Sequence, residues 1–154
     1  MKILVTGGTG YIGSHTVVEL INKGYEVVVY DNLSNSSRNV LDRIYKITKS
    51  QLKFFEGDIC DADKLNDVFK QNKFDAVIHF AGLKSVTESE EQPTLYYKNN
   101  VNGSLQLLET MKDHNVKTIV FSSSATVYGN SSKSPLKEDM YLDFPLNTYG
   151  RTKF

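Results

Sequence analysis

A doubly wound α/β fold, with a parallel sheet covered by helices on both faces, is the class this sequence predicts. Three observations predict it. Short apolar runs rich in β-branched residues alternate with longer stretches of helical period. Within the runs the apolar residues are consecutive, as in strands buried on both faces, rather than alternating with polar ones. A glycine-rich turn separates the first run from the first helical stretch, the arrangement of a nucleotide-binding strand–turn–helix unit.

The elements follow in order. Lys2–Thr6, Glu26–Asp31, Leu52–Glu56, Ala76–Phe80 and Thr118–Ser122 read as strands. Tyr11–Lys23 places Ile12, Val17, Leu20 and Ile21 near one face and stops at Gly24, a helix terminator. Asn39–Lys49, Asp63–Gln71 and Thr94–Asn115 are the other helices, with Pro93 suited to the start of the longest. Right-handed crossovers between successive strands then build the sheet. Residues 129–148 hold Gly129, Asn130, Ser131, Ser132, Pro135, Pro145 and Asn147 and read as one long loop, a length usually tied to function. Five strands are visible where a doubly wound nucleotide fold uses six, so the 154 residues are expected to be one dinucleotide-binding domain, incomplete at its C-terminal end.

Composition narrows the function. The 18 basic residues are matched by 18 acidic ones, so no basic excess is available to displace phosphate counterions from a nucleic acid. Cys60 is the only cysteine and the three histidines are scattered, which argues against a disulfide or a metal centre. No apolar run approaches the length of a bilayer span, and glycine follows Met1 too soon for a secretory signal, so a soluble, cytoplasmic protein is expected.

The glycine turn is Gly7-Gly8-Thr9-Gly10-Tyr11-Ile12-Gly13. Its glycines suit a tight turn, a close approach of backbone to pyrophosphate, and a helix–strand contact, while the helix start offers N–H groups to the anion. A turn without a ligand is the alternative. Asp31 ends the second strand eighteen residues after Gly13, where a carboxylate accepts both ribose hydroxyls and repels a 2′-phosphate; this favours NAD over NADP. Asp58 and Ile59 close the third strand, with two readings open: a carboxylate accepting from adenine beside an apolar ring contact, or an aspartate capping the next helix.

Tyr149 and Lys153 lie four apart, on one side of a helix. A neighbouring cation lowers a phenol's pKa, which makes it a usable base for taking an alcohol's proton while hydride leaves carbon. The spacing alone is weak: chance gives roughly one such pair in this composition, and Tyr45 with Lys49 is a second, read as surface decoration. Position distinguishes Tyr149, because it follows the strand ending in Ser122-Ser123-Ser124, and ligands collect at the carboxyl ends of parallel strands. Ser124 is a candidate hydroxyl for the site, or simply a turn cap. His79, inside a strand, is expected to pack in the core, and His15 and His114 to be bystanders.

Several stretches together resemble the extended short-chain dehydrogenase/reductase superfamily, and within it the UDP-glucose 4-epimerase family. They are Val5–His15, Asp31–Ser36, His79–Lys84, Tyr96–Val101 and Ser122–Gly129, followed by Tyr149 and Lys153, and they cover essentially the whole chain. The resemblance implies a Rossmann-type domain that binds NAD through Gly7, Gly10, Tyr11, Ile12 and Gly13 at the turn. It adds Asp31, Asn32, Leu33, Ser34, Asn35 and Ser36; Asp58 and Ile59; Phe80, Ala81, Gly82, Leu83 and Lys84; and Asn99. It implies Ser124 hydrogen-bonding the sugar, Tyr149 as base and also in contact with substrate and cofactor, and Lys153 holding the nicotinamide ribose. The implied substrate is a UDP-hexose, epimerised at C4 through a 4-keto sugar in galactose metabolism.

The resemblance further implies a homodimer packed through two helices per subunit, one matching Thr94–Asn115 and the other beginning at Tyr149. It implies a C-terminal domain for the uridine nucleotide that this sequence does not include, and hence little activity for these 154 residues alone. Two other functions fit less well. A nucleotide-sugar 4,6-dehydratase calls for an acidic pair beside the serine, where Ala125 and Thr126 stand with no carboxylate. A non-catalytic NAD sensor has no use for Tyr149 and Lys153 together.

Overall fold

The computed structural model describes residues 1–130 and 134–154; Ser131 and Ser132 of the expected loop lie outside the described residues. The chain forms two compact units, residues 1–81 with 104–122 and residues 82–103 with 123–154.

The first unit is the sheet and its covering helices. Strands β1 (Lys2–Thr6), β2 (Glu26–Asp31), β3 (Lys53–Glu56), β4 (Ala76–His79) and β5 (Ile119–Phe121) pair in parallel in the order β3-β2-β1-β4-β5. The order reverses direction between β1 and β4, the switch point at which open α/β sheets collect ligands. Side chains alternate across the sheet, so each strand feeds two cores. Ile3, Val5, Val27 and Val29 join Val17 of α1 (Tyr11–Asn22) and Ile44 of α2 (Asn39–Thr48) on one face. Leu4, Val28, Tyr30 and Val77 join Leu65, Val68 and Phe69 of α3 (Ala62–Gln71) on the other. Leu107 and Met111 pack in that second core too, from the helix spanning Gly103–Asp113, which becomes α6 below. This double burial is why the strands read as unbroken apolar runs.

The expected strands are all present, β3 and β4 shorter than read by one residue at one end and β5 by one residue at each end. On the edge strand β5, Val120 and Phe121 stay exposed.

The second unit begins with a helix that the periodicity did not reveal, α4 (Val86–Glu91), opened by the Ser85 side chain accepting from Glu88 N–H. The long helix expected over 94–115 is realised as three consecutive pieces. These are α5 (Pro93–Tyr96), a π-helical turn (Tyr97–Asn102) and α6 (Gly103–Asp113), of which α6 belongs to the first unit from Ser104 on. A 3₁₀ turn (Ala125–Tyr128) and α7 (Thr148–Lys153) complete the unit, and the described residues between them are irregular. Among the described residues no helix is long and apolar enough to cross a membrane, and no cluster of potential ligands suits a metal.

Candidate functional site

In the first unit the glycine turn is shaped from within. Gly7 has φ +69°, and a Cβ there would lie 2.6 Å from Ala81 N. A Cβ on Gly13 would run into the Gly7 carbonyl oxygen and come within 2.9 Å of Gly8 Cα. Gly10 differs, because its added carbon would meet only the Gly7 oxygen, at 3.2 Å. The fold itself therefore demands glycine at 7 and 13, while Gly10 is the least crowded of the three, its one tight contact being the Gly7 oxygen. No side chain caps α1, which leaves the first amide groups, at Tyr11 and Ile12, available to an anion at the helix start. Both side chains are exposed there.

Asp31 ties this turn to the loop after β2. Its carboxylate accepts from Thr9 N–H (3.0 Å) and Leu33 N–H (2.9 Å) while almost fully buried. Two N–H bonds leave lone pairs on both oxygens, enough for a pair of hydroxyls. Thr9 Oγ1 also meets Ser36 Oγ at 2.7 Å, so the loop 31–36 is pinned across the turn. Asn32 turns its amide onto Asp58 Oδ2 (2.9 Å) and accepts from Ser34 N–H (3.0 Å). Asp58 does not cap α3. Asp61 does, accepting from Lys64 N–H, while Asp58 Oδ1 takes Cys60 N–H at 2.8 Å. Of the two readings left open for Asp58, the cap is thus removed. Phe80 and Ala81 run beside the turn, Phe80 N–H donating to Thr6 O and Ala81 N–H to Thr6 Oγ1. Ile59 is buried in the core, and Asn35 lies exposed on the loop.

His79 sits where the sequence put it, in the core. Its ring nitrogens meet Thr6 Oγ1 (2.6 Å) and Ser104 Oγ (2.9 Å), and the ring packs on Phe121.

In the second unit the π-helical turn presents Asn100 inward. Asn100 Oδ1 accepts from Leu83 N–H (2.8 Å), and its amide donates to Leu83 O (2.9 Å) and to Thr152 Oγ1 (2.9 Å). One buried side chain therefore fastens the Gly82–Lys84 loop to the helix carrying Tyr149 and Lys153. Sequence reasoning singled out Asn99 and passed over Asn100. Asn99 instead donates to Asn100 Oδ1 (2.9 Å). A π turn leaves no periodicity to read, although such turns gather at functional sites.

Lys153 is buried, and a carbon added at Gly82 would lie 3.3 Å from its Nζ and 3.2 Å from Asn100 Oδ1. Burial holds this ammonium below the ordinary lysine range. Tyr149 is half-buried. Ser124 caps the 3₁₀ turn, accepting from Thr126 N–H (3.3 Å) and Thr126 Oγ1 (2.9 Å). The turn-cap reading of Ser124 therefore holds, and it leaves the serine's own O–H to donate. Thr126 lies against Gly150, where an added carbon would come within 3.2 Å of it, so the serine turn and the start of α7 are neighbours. A hydroxyl donor, a phenol and a desolvated cation on adjoining segments suit proton transfer at a secondary alcohol.

The residue pattern matches known proteins along its whole length. A family model described as GDP-mannose 4,6 dehydratase matches residues 4–154. The chain belongs to that family. Several of its curated relatives are UDP-glucose 4-epimerases. UDP-glucose 4-epimerase of Bacillus subtilis is 56% identical over 99% of this chain and 45% of its own length. The crystal structure of UDP-glucose 4-epimerase from Bifidobacterium longum, in complex with NAD⁺ and UDP, has a TM-score of 0.97 at 48% identity, covering 99% of this chain and 46% of that one. The enzyme from Stenotrophomonas maltophila, with bound NAD and a formylated UDP-arabinopyranose, has a TM-score of 0.95 at 46% identity, covering 99% and 45%. The chain spans about half the length of the relatives it matches. The likeness to UDP-glucose 4-epimerases read from the motifs, and the Rossmann-type sheet with it, are both borne out.

Proposed function

We propose that this chain is the NAD-binding portion of an enzyme that interconverts UDP-galactose and UDP-glucose. The observation that carries the reading is the buried Lys153 ammonium against Gly82, one helical turn from the Tyr149 phenol and next to a serine turn. Relatives and structural neighbours named as UDP-glucose 4-epimerases support it, several of them solved with NAD. The glycine turn, the uncapped start of α1 and the residual acceptor capacity of Asp31 fit a dinucleotide's pyrophosphate and ribose. The Asp31 loop, Asp58, Ile59, Phe80–Lys84 and Asn99 complete the proposed contacts.

When bound, NAD supplies the hydride acceptor and, in the return step, the hydride donor for C4 of the sugar. The chain's own residues handle the proton. Tyr149 takes it from the C4 hydroxyl and returns it after the 4-keto sugar has presented its other face. Ser124, whose oxygen already accepts from Thr126, donates its hydrogen to the sugar oxygen as charge develops there. A cation stripped of water gains from a negative charge forming beside it, so Lys153 favours the phenolate that this step needs, and it holds the cofactor ribose.

In this reading the 154 residues form one cofactor domain of a longer protein, whose remaining sequence binds the uridine nucleotide. The protein acts in the cytoplasm, in galactose metabolism, as a homodimer. The exposed Leu95, Tyr97, Leu105 and Leu108 on the helical run after Pro93 support a helix-packed dimer.

The family description keeps 4,6-dehydration as a second reading. Elimination across C5 and C6 calls for an acid beside Ser124, yet the following residues are Ala125 and Thr126, and the Thr126 hydroxyl is engaged with Ser124. The test is to add UDP-galactose to the full-length protein and follow UDP-glucose. Conversion without added oxidant is the expected result. A 4-keto-6-deoxy product would establish the dehydratase, and NAD binding without turnover would leave only a sensor.

A further inference from the structure

A helix leaves its first N–H groups without acceptors of its own, and in α7 three of them are satisfied in an unusual way. Gly150 N–H donates to Asn147 Oδ1 at 2.7 Å, the helix's own cap. The other two go to α4: Thr148 N–H donates to Glu90 Oε1 at 2.6 Å, and Tyr149 N–H to Ser89 Oγ at 3.0 Å. Ser89 is fully buried, and its hydroxyl hydrogen is committed to Val86 O at 2.6 Å, which leaves an oxygen lone pair for Tyr149. The Thr148 bond holds the Glu90 carboxyl below its ordinary pKa, so the acceptor is a charged one.

The α4 helix is itself held. The Tyr96 hydroxyl donates to Glu88 Oε2 (2.7 Å) and accepts from Ser85 N–H (2.9 Å). From Asn147 alone, α7 would begin with two amides unsatisfied in a partly buried place.

We infer that Ser89 and Glu90 are positioning residues for Tyr149, and that α4 clamps the start of α7 and so sets where the phenol and the Lys153 ammonium stand. The inference rests on the proposed epimerase reading for its catalytic meaning, whereas the clamp itself is a property of the fold. Neither residue touches the reacting groups. Removing the clamp displaces the base by a fraction of an ångström to an ångström, which lowers the rate of proton transfer and leaves sugar and dinucleotide binding intact.

The test compares full-length Ser89→Ala, Glu90→Ala and Glu90→Gln with the parent protein, by kinetics on UDP-galactose and by amide hydrogen exchange. Ser89→Ala is expected to lower kcat about tenfold or more, with KM within about twofold and NAD retained. Exchange at Thr148–Gly150 accelerates by about an order of magnitude, while β1 and β4 are unchanged. Glu90→Ala lowers kcat by a smaller factor, about threefold, and Glu90→Gln restores it, since the amide oxygen still accepts. Unchanged kcat and unchanged exchange in Ser89→Ala would overturn the clamp, as would equal losses in Glu90→Ala and Glu90→Gln. A parent protein that leaves UDP-galactose untouched would overturn the epimerase reading alone, and the exchange measurement would still decide the clamp.

Discussion

Alanine at Gly13 and alanine at Gly10 should fail in opposite ways, and the contrast tests the cradle directly. At Gly13 the new methyl meets the Gly7 oxygen, Gly8 Cα and Gly7 C, all backbone, the last at 3.0 Å. Backbone cannot step aside as a side-chain tip can, and overpacking of this kind costs about 1–3 kcal/mol. Three such contacts put Gly13→Ala at the upper end, about 3 kcal/mol. Alanine's better helix propensity returns about 0.5–1 kcal/mol, which leaves a net loss of about 2. For a domain of this size that is a fall in Tm of roughly 4–8 °C, present with or without dinucleotide. At Gly10 the methyl meets one atom at 3.2 Å, with backbone angles (φ −67°, ψ 172°) that alanine adopts freely. Reduced unfolded-state entropy and the poorer helix cap nearly cancel, and easing the single tight contact costs about 1 kcal/mol, less than at Gly13. In the proposed reading dinucleotide affinity should nevertheless fall about tenfold or more, because the methyl intrudes on the proposed pyrophosphate site. Thermal unfolding by circular dichroism and NAD titration by calorimetry measure the two effects on the full-length protein. If Gly10→Ala binds NAD normally, or Gly13→Ala melts at the parent temperature, the division of labour within the turn is wrong.

Other changes report on other parts of the molecule. Tyr149→Phe should cut turnover by about 10³-fold or more while NAD remains bound, read by single-turnover kinetics and cofactor absorbance; near-normal rates would mean that the base is elsewhere. Asp31→Ala leaves Thr9 N–H and Leu33 N–H without their acceptor, so unfolding in urea should show a loss of about 3 kcal/mol together with weakened NAD binding. Burial and the Glu88 hydrogen bond push the Tyr96 phenol up to about 12 from an ordinary 10.0, so the folded state keeps it neutral after the unfolded chain has begun to ionise. That contribution to stability is complete below pH 10 and lost as pH rises toward 12, and Tyr96→Phe should flatten the alkaline limb of a stability–pH curve.

How much was legible follows from what each element depends on. The sheet was readable because Val27–Tyr30 and their neighbours face two cores, and continuous burial writes continuous apolar sequence. The glycine turn and Asp31 were readable because their demands are local: a positive φ at Gly7, a steric conflict at Gly13, a carboxylate at a strand end. The helix α4 was not, since Val-Thr-Glu-Ser-Glu-Glu buries only Ser89 and carries no apolar stripe; tertiary bonds from Tyr96, Thr148 and Tyr149 define it. Asn100 escaped for the same reason. Its importance comes from a π turn that points it at Leu83 and Thr152, and neither residue is near it in sequence.

The two tyrosine–lysine pairs carry the argument furthest. Tyr45 and Lys49 have the spacing of Tyr149 and Lys153, and composition alone supplies about one such coincidence. In the structure Lys49 has left the helix into the left-handed region at φ 56°, and both it and Tyr45 face solvent. Two unit charges about 4 Å apart are worth about 1 kcal/mol in water, further screened by salt, against about 4 kcal/mol at an effective dielectric of 20. Lys153 is instead buried against Gly82, and α7 is fastened by partners from other segments. The spacing is therefore the least informative part of the motif. In the proposed reading, what sets this pair apart from Tyr45 and Lys49 is the burial of its cation and the hold on its helix, and these involve Gly82, Asn100 and Ser89, none of which lies in the helix that carries the pair.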